Sequence, residues 1–353
     1  MKQLIRRFRT WINSHRSTAM IITGAIGVAV IGNVAMMLVG PEVPPPVADI
    51  TVRKPAPKFY SPLTGLEVKD EAMTKKPVTA IMIENSTDAR PQSGLKQGEV
   101  IYEAIAEGGI TRFLVLYQQN KPGLIGPVRS VRPYYVEWYA PWNASMAHVG
   151  GSSKALKEIR NGSYRDIDQF FNANTYWRAS DRYAPHNVYT NFKRLDALNK
   201  KKGYKTSNPK GFLREDTKKA AKITARTINV HISSAAFDSS YRYDTKRNYY
   251  VRSQGGAKHV DREKGTITPK VVVVLDVKER TVFEDTYRQV ITTTGSGKAT
   301  IFQDGEVIKA TWKRDSKKSQ IQFFDAKGKE VALARGQTWI TAIPSEGSVS
   351  WKK

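Results

Sequence analysis

A long uncharged run near the amino terminus most constrains what this chain can fold into. Ser17 to Val39 contains no charged side chain, and a helix of that length is about long enough to cross the ~30 Å hydrocarbon core of a membrane. The segment ahead of it has basic residues and no acid. Since positive residues beside a span stay in the cytoplasm, we predict a cytoplasmic basic tail over residues 1–16, a transmembrane helix over residues 17–39, and an extracytoplasmic remainder.

A cleaved signal peptide is the alternative interpretation of the same run. Signal peptides usually have an apolar region of ~7 to 15 residues that ends at a small-residue cleavage site. The run in this chain is longer, and Pro41 follows it closely. The pattern therefore favours an uncleaved anchor, with the cytoplasmic membrane as the partner of the helix.

The segment after the run predicts a spacer. Pro41 to Pro57 contains six prolines among 17 residues, and proline-rich segments form extended, semi-rigid linkers. We therefore assign residues 40–57 to a linker. The chain has no cysteine, which excludes disulfides, thiolate metal sites, a cysteine nucleophile and lipidation of a cysteine.

The remainder predicts an α+β protein whose two halves differ in pattern. In the first half we predict strands at Pro77–Asn85 and Ala144–Val149, a hairpin turning at Gly108–Gly109, and helices beginning after Ser152 and near Thr190. The second half has strand-like runs with a two-residue turn at Asp304–Gly305. We therefore predict a mixed α/β domain over residues 58–205, a basic connector over 206–222, and a mostly antiparallel β domain over 223–345.

The net charge of +25 favours anionic partners. Both halves of the extracytoplasmic part contribute to this excess. Residues 58–205 include 22 basic and 14 acidic residues, and residues 206–353 include 28 basic and 16 acidic residues. Lipid headgroups and cell-wall polymers are the anions expected outside a bilayer. A generally lysine-rich composition would give the same excess. No nucleic-acid module is visible, so no specific nucleic acid is expected.

Several segments do not match the motifs for phosphate binding, serine hydrolysis or metal binding. Thr292 to Thr300 lacks the first glycine and the final hydroxyl of a phosphate-binding loop, and we predict a turn between strands there. Ser152 lacks the closing glycine of a nucleophile elbow and predicts a helix cap instead. The histidines show no metal-ligand spacing. We therefore predict neither a metal nor a cofactor.

Polar residues collect at the ends of apolar elements in the first half. Charged groups in apolar runs are costly to bury unless they are paired, so each residue either forms a structural pair, faces solvent or joins a shared cleft. The candidate ligand-binding residues are Glu84, Asn85, Arg112, Arg129, Arg132, Gly151, Ser152, Arg178, Asp181, Arg182 and Asn187. The candidate acid-base residues are Glu103, Glu107, His148 and His186.

The segment from Trp177 to Asn187 concentrates these residue types. It contains two arginines, an aspartate, a histidine and an asparagine together with Trp177 and Tyr183. Aromatic faces beside hydrogen-bonding groups suit sugar rings, although a packed core gives the same composition. We predict a ligand-facing loop.

Long blocks of the chain resemble the YerB family of bacterial envelope proteins. "VTAIMIENSTDARPQSGLKQGEVIYEAIAEGGITRFLVLYQ", "IGPVRSVRPYYVEW", "HVGGSSKAL" and "RYAPHNVYT" are similar to its amino-terminal domain, and "TTTGSGKATIFQDGEVIKATWKRD" and "RGQTWITAIP" to its carboxy-terminal domain. The resemblance implies two domains and an envelope location, often as a lipoprotein, but no known activity. This chain departs from lipoprotein members because it has no cysteine to lipidate.

Two functions from different classes fit these observations. The first is a membrane-anchored envelope protein that binds a wall-derived or other anionic ligand through arginines, because guanidinium groups pair with carboxylate or phosphate in a two-pronged way. The second is a hydrolase or transferase acting on wall glycan or peptide. In it, Glu103 or Glu107 would be the general acid and His148 or His186 the base.

Overall fold

The computed structural model describes residues 1–15, 57–283 and 287–353. The predicted transmembrane helix and nearly all of the predicted linker lie outside the described residues. Within the described ranges, no helix is long and apolar enough to cross a membrane. The chain divides into two compact units, Met1–Ala56 and Pro57–Lys353.

The helices are α1 Lys2–Ser14, α2 Glu71–Thr74, α3 Pro133–Tyr139, α4 Ser153–Asn161 and α5 Phe192–Lys201. The strands of the first half are β1 Phe59–Tyr60, β2 Glu67–Val68, β3 Thr79–Glu84, β4 Val100–Glu107, β5 Ile110–Tyr117, β6 Ser145–His148, β7 Arg165–Asp168, β8 Trp177–Arg178 and β9 Val188–Tyr189. Those of the second half are β10 Arg214–Glu215, β11 Thr227–His231, β12 Ser239–Asp244, β13 Tyr249–Gln254, β14 Ala257–Lys258, β15 Val260–Asp261, β16 Gly265–Thr266, β17 Val271–Asp276, β18 Glu279–Phe283, β19 Tyr287–Ile291, β20 Gly295–Gln303, β21 Glu306–Arg314, β22 Gln322–Phe324, β23 Leu333–Ala334, β24 Thr338–Ile343 and β25 Ser348–Lys352. This mixture confirms the predicted α+β class.

The unit Pro57–Lys353 is built on a ten-stranded mixed sheet in the order β22-β21-β20-β17-β24-β4-β5-β3-β6-β7. Hairpin neighbours are antiparallel, whereas β24 is parallel to both β17 and β4. β24 comes from the end of the chain and β4 from the first half. The two predicted segments therefore share one sheet, and the compact unit spans both of them.

Both faces of this sheet are covered, which explains the uninterrupted apolar runs in its strands. Along β3, Ala80 and Met82 face a core that includes residues of α3 and α4. Ile81 and Ile83 face a second core that includes α5 and the five-stranded sheet β14-β13-β12-β11-β25. Strand residues that alternate between two buried faces need no polar side.

The predicted turns are confirmed at the backbone level. Gly108 and Gly109 both have positive φ between β4 and β5, as do Asp304 and Gly305 between β20 and β21. The prediction of a turn over residues 292–300 is wrong for most of its length. Gly295, with a φ of +95°, already begins β20, and the register of this strand with β21 continues to Gln303.

Candidate functional site

The segment from Trp177 to Asn187 comprises β8 and the loop that joins it to β9 in a small hairpin. β8 pairs with β9 through Trp177 and Tyr189 and through Arg178 and Val188. Asn187 shapes the loop, because its Nδ2 donates to the carbonyls of Ala179 and Arg182, both at 3.2 Å. Arg178 Nη1 donates to Asn187 Oδ1 at 2.7 Å. Asn187 and Arg178 therefore hold the loop in shape.

An open groove of about 650 Å³ lies beside this loop. We call it the arginine groove, and its lining residues share a high density of charge: Asp88, Arg90, Pro91, Asp181, Arg182, Tyr183, His186 and Arg262. Three guanidinium groups and two carboxylates line the groove. The groove draws on three separate stretches of chain, one of them from the second half.

Backbone and side-chain contacts fix the arginines of the groove. Arg182 donates to the carbonyl oxygens of Asp88 at 3.2 Å and Pro91 at 2.6 Å. Arg262 Nη2 lies 2.5 Å from Asp181 Oδ2. A hydrogen bond from Arg262 lowers the pKa of the Asp181 carboxyl below its ordinary value. These contacts position the guanidinium groups of Arg182 and Arg262 before any ligand arrives.

The turn that carries Arg262 packs against the first half of the chain. Arg262 sits in the turn between β15 and β16, and its backbone N–H donates to the Gln92 carbonyl at 2.8 Å. The neighbouring Asp261 accepts from the backbone of Lys96 at 3.1 Å, and Ser93 donates to Glu263 at 3.1 Å. These contacts hold the turn against the loop that follows β3.

His186 connects the groove to the end of β3. Its Nδ1 lies 3.0 Å from Oε2 of the buried Glu84 and 3.2 Å from Oγ of Ser86. Arg129 Nε donates to the other Glu84 oxygen at 3.1 Å. Because serine and carboxylate approach the same ring nitrogen, these residues do not form a Ser-His-Glu relay, which needs the two nitrogens to be used separately.

A second charged cluster surrounds Glu107 at the end of β4. Its carboxylate receives Arg112 at 2.5 Å and Arg132 at 2.6 Å, and Arg288 lies at 3.5 Å. Burial raises the pKa of Glu107, but the charges of Arg112 and Arg132 outweigh it and lower the pKa to about 2. A carboxyl that is ionised at neutral pH is a poor proton donor, so this geometry opposes the general-acid role predicted for Glu107.

Glu103 is buried inside the molecule, apart from both the arginine groove and the cluster around Glu107. It forms an ion pair of 2.8 Å with Arg252, and both side chains are shielded from solvent. We call the surrounding set the Glu103 network, and it comprises Asn85, Gln92, Glu103, Thr111, Arg252, Gln254, His259 and Trp339. Arg252 donates to His259 Nδ1. Burial first, then the charges of Arg252 and Arg90, lower the pKa of His259 well below its ordinary value.

His148 is buried, and both of its ring nitrogens have partners. Its Nδ1 lies 2.8 Å from the Gly150 carbonyl and its Nε2 lies 3.0 Å from Asp166. Neither nitrogen is left to take a proton from a substrate. Ser152 caps α4 by accepting from the Ala155 N–H at 3.4 Å, as predicted. A side chain on Gly151 would collide with Val131, so this glycine serves close packing.

The predicted residues thus separate into distinct places. The arginine groove unites Asp181, Arg182 and His186, whereas Glu107, Arg112 and Arg132 form their own cluster and Asn85 and Glu103 are in the buried network.

The sequence reasoning missed Arg90 and Arg262 as groove residues. Arg90 stands in a block that resembles the YerB family, but no local signal marks Arg262, which reaches the groove only through the tertiary fold. Among the described residues, no group of three or more His, Asp or Glu side chains is arranged to hold a metal ion.

Comparison with protein families gives two matches that cover most of the chain. The amino-terminal domain of the protein of unknown function DUF3048 matches residues 63–205, and its carboxy-terminal domain matches residues 200–340. "Putative lipoprotein YerB" of Bacillus subtilis (strain 168) is 32% identical over 303 residues, which cover 84% of this chain and 90% of that protein. This chain belongs to the YerB family.

The fold agrees with a solved structure from the same family. The crystal structure of YerB from Bacillus subtilis matches with a TM-score of 0.75 and 30% sequence identity, covering 83% of this chain and all of that one. The YerB family is one of unknown function, so the match supports the fold and the resemblance noted in the sequence. It assigns no role to the arginine groove.

Proposed function

We propose that this protein is a membrane-anchored envelope protein whose arginine groove binds an anionic group of a cell-wall-derived ligand. The anchor is the uncharged run of residues 17–39, and the location agrees with a relative that is described as a lipoprotein. The observation that carries the proposal is the convergence of Arg90, Arg182 and Arg262 on one open groove.

Guanidinium groups suit this task because their planar N–H donors match carboxylate and phosphate oxygens. Backbone contacts hold Arg182 in place, so little side-chain freedom is lost when a ligand binds. Tyr183 lies on the rim of the groove and is almost fully exposed, which leaves an aromatic face for a sugar ring beside the charged group.

Binding is favoured over catalysis by the separation of the predicted acid and base residues. Glu103 is buried, Glu107 is ionised within its arginine cluster, and both nitrogens of His148 have partners. His186 is the predicted acid-base residue that reaches the groove. An acid-base mechanism needs two titratable groups within reach of one substrate.

A binding assay with the compact unit Pro57–Lys353 tests the proposal. The probes are soluble peptidoglycan fragments from a muramidase digest and poly(glycerol phosphate), which separate carboxylate-bearing from phosphate-bearing ligands. We expect Arg262→Gln to weaken binding of one probe roughly tenfold, the loss typical of a charge-assisted hydrogen bond. Isothermal titration calorimetry measures the change.

Arg247→Gln is the matched control, since Arg247 is also exposed and also pairs with an aspartate, at 3.5 Å, but lies outside the groove. Equal losses from both variants, or equal binding of heparin and wall probes with a steep salt dependence, would show that net charge acts without a defined site. Either result would contradict the proposal.

A second function rests on the contact between His186 and Glu84. Glu84 Oε2 lies 3.0 Å from His186 Nδ1, and an anion close to Nδ1 favours the tautomer whose Nε2 can act as a base. His186 Nε2 lies 3.9 Å from the groove residue Asp88. This arrangement supports a hydrolase or transferase that acts on wall glycan or peptide. New products in the same digest, detected by mass spectrometry and lost in His186→Gln, would favour this function over simple binding.

A further inference from the structure

Helix α1 at the amino terminus is amphipathic. With 3.6 residues per turn, Leu4, Ile5, Phe8, Trp11 and Ile12 fall on one face. All five are exposed, from 37% for Ile12 to 76% for Leu4. No residue of the helix is buried. The helix therefore presents an apolar stripe without a partner in the described part of the chain.

The rest of the helix surface is cationic. Lys2, Arg6 and Asn13 lie opposite the apolar stripe, and Arg7 and Arg9 lie along its two borders. The helix contains no acidic residue. Arginines that flank an apolar stripe can extend toward negatively charged groups while their aliphatic stems cover apolar surface. This distribution is typical of a helix that lies within a membrane interface.

The length and position of the helix favour a lipid surface as the occupant of the stripe. Thirteen residues extend about 20 Å, which is too short to cross a membrane. The uncharged run that begins at Ser17 follows almost directly in the sequence. Trp11 and Phe8, whose ring centroids are 6.3 Å apart, provide the aromatic groups that prefer the headgroup region.

We infer that α1 lies in the plane of the membrane, with its apolar stripe among the upper acyl chains and its arginines on anionic lipid headgroups. The helix would then be a second membrane contact, separate from the predicted transmembrane helix. The inference does not depend on the arginine groove, which belongs to the other compact unit.

The absence of cysteine from the chain permits a direct test in the full-length protein. Phe8→Cys places a nitrobenzoxadiazole label at the centre of the apolar stripe, and Asn13→Cys places it on the opposite face. Both proteins are reconstituted in phosphatidylcholine vesicles with or without phosphatidylglycerol. We expect the Phe8 label to shift to the blue and to be quenched by doxyl-labelled lipid when phosphatidylglycerol is present, while the Asn13 label stays in water.

A charge variant separates lipid recognition from simple hydrophobic contact. Replacing Arg6, Arg7 and Arg9 by Gln should lower the ratio of bound to free helix roughly fivefold per arginine. Replacing Lys200, Lys201 and Lys202 by Gln removes the same charge from the other unit and should change nothing. Identical spectra for the Phe8 and Asn13 labels would overturn the inference, as would burial of the Phe8 label that depends on protein concentration, because that would indicate a second copy of the chain as the partner.

Discussion

The Glu103 network and the arginine groove contain the same kinds of side chain in opposite environments. The network has one carboxylate, one guanidinium group and one imidazole, and the groove has two carboxylates, three guanidinium groups and one imidazole. In the network, Arg252 and Glu103 are shielded from solvent and paired at 2.8 Å. In the groove, Arg262 and Asp181 are paired at 2.5 Å but face solvent. Residue type alone therefore does not distinguish a structural ion pair from a binding surface.

The difference matters because solvent decides what an ion pair contributes. A charge that loses its partner inside a protein keeps its desolvation cost, so breaking a buried pair is strongly destabilising. An exposed pair exchanges readily with water and salt and contributes little to stability. We therefore expect the network to connect the two halves of the sheet and the groove to remain available for a ligand.

The largest effect should follow from removing Arg252. Arg252→Met leaves the Glu103 carboxylate buried without its cation, and we expect the free energy of unfolding to fall by about 3–5 kcal/mol. Urea denaturation of Pro57–Lys353 measures the loss. Arg252 reaches Glu103 from the second half of the chain, so this variant tests whether the network joins the halves.

Arg247→Met is the matched control, because Arg247 lies on the same β12–β13 hairpin and is largely exposed. It should be close to neutral. The double variant Glu103→Leu with Arg252→Met should recover part of the stability, since an apolar pair leaves no unpaired charge. If Arg252→Met cost no more than Arg247→Met, the distinction between network and groove would be wrong.

Much of the fold could be predicted because its signals are local. The paired glycines at Gly108 and Gly109 and the Asp304–Gly305 turn need positive φ, which few residue types adopt easily. The cap at Ser152 needs only its own helix. By contrast, β24 inserts beside β4 across more than two hundred residues of sequence, and no local pattern specifies that neighbour.

The candidate site was only partly predictable for the same reason. The sequence singled out Arg182 and His186 because they stand in one unusual loop, and both line the groove. It could not separate them from Glu103, whose burial depends on Arg252 from a distant hairpin. Arg262 was missed because its only distinguishing property is the docking of its turn onto Gln92.

The buried His259 should make the stability of the fold depend on pH. The pKa of His259 lies well below its ordinary value, so the folded state binds fewer protons than the unfolded state. The contribution of His259 to the free energy of unfolding is therefore fully present above the ordinary histidine pKa of about 6.5. It decreases as the pH falls below that value, by up to about 1.4 kcal/mol per pH unit. Thermal unfolding between pH 8 and pH 5 measures this slope.

His259→Gln should lower the melting temperature at high pH but flatten the slope, because glutamine does not titrate. An unchanged slope in His259→Gln would show that the network does not exclude the proton as its burial implies.

The smallest effect on stability should come from the groove. Asp181→Asn removes the carboxylate that Arg262 contacts, and because both groups face solvent we expect no measurable change in melting temperature. Binding should change instead. If a ligand anion competes with Asp181 for Arg262, the variant should bind the anionic probe roughly two- to fivefold more tightly, the range expected for releasing an exposed ion pair. Weaker binding would mean that Asp181 positions Arg262, and a lower melting temperature would mean that this pair is structural, like the one between Glu103 and Arg252.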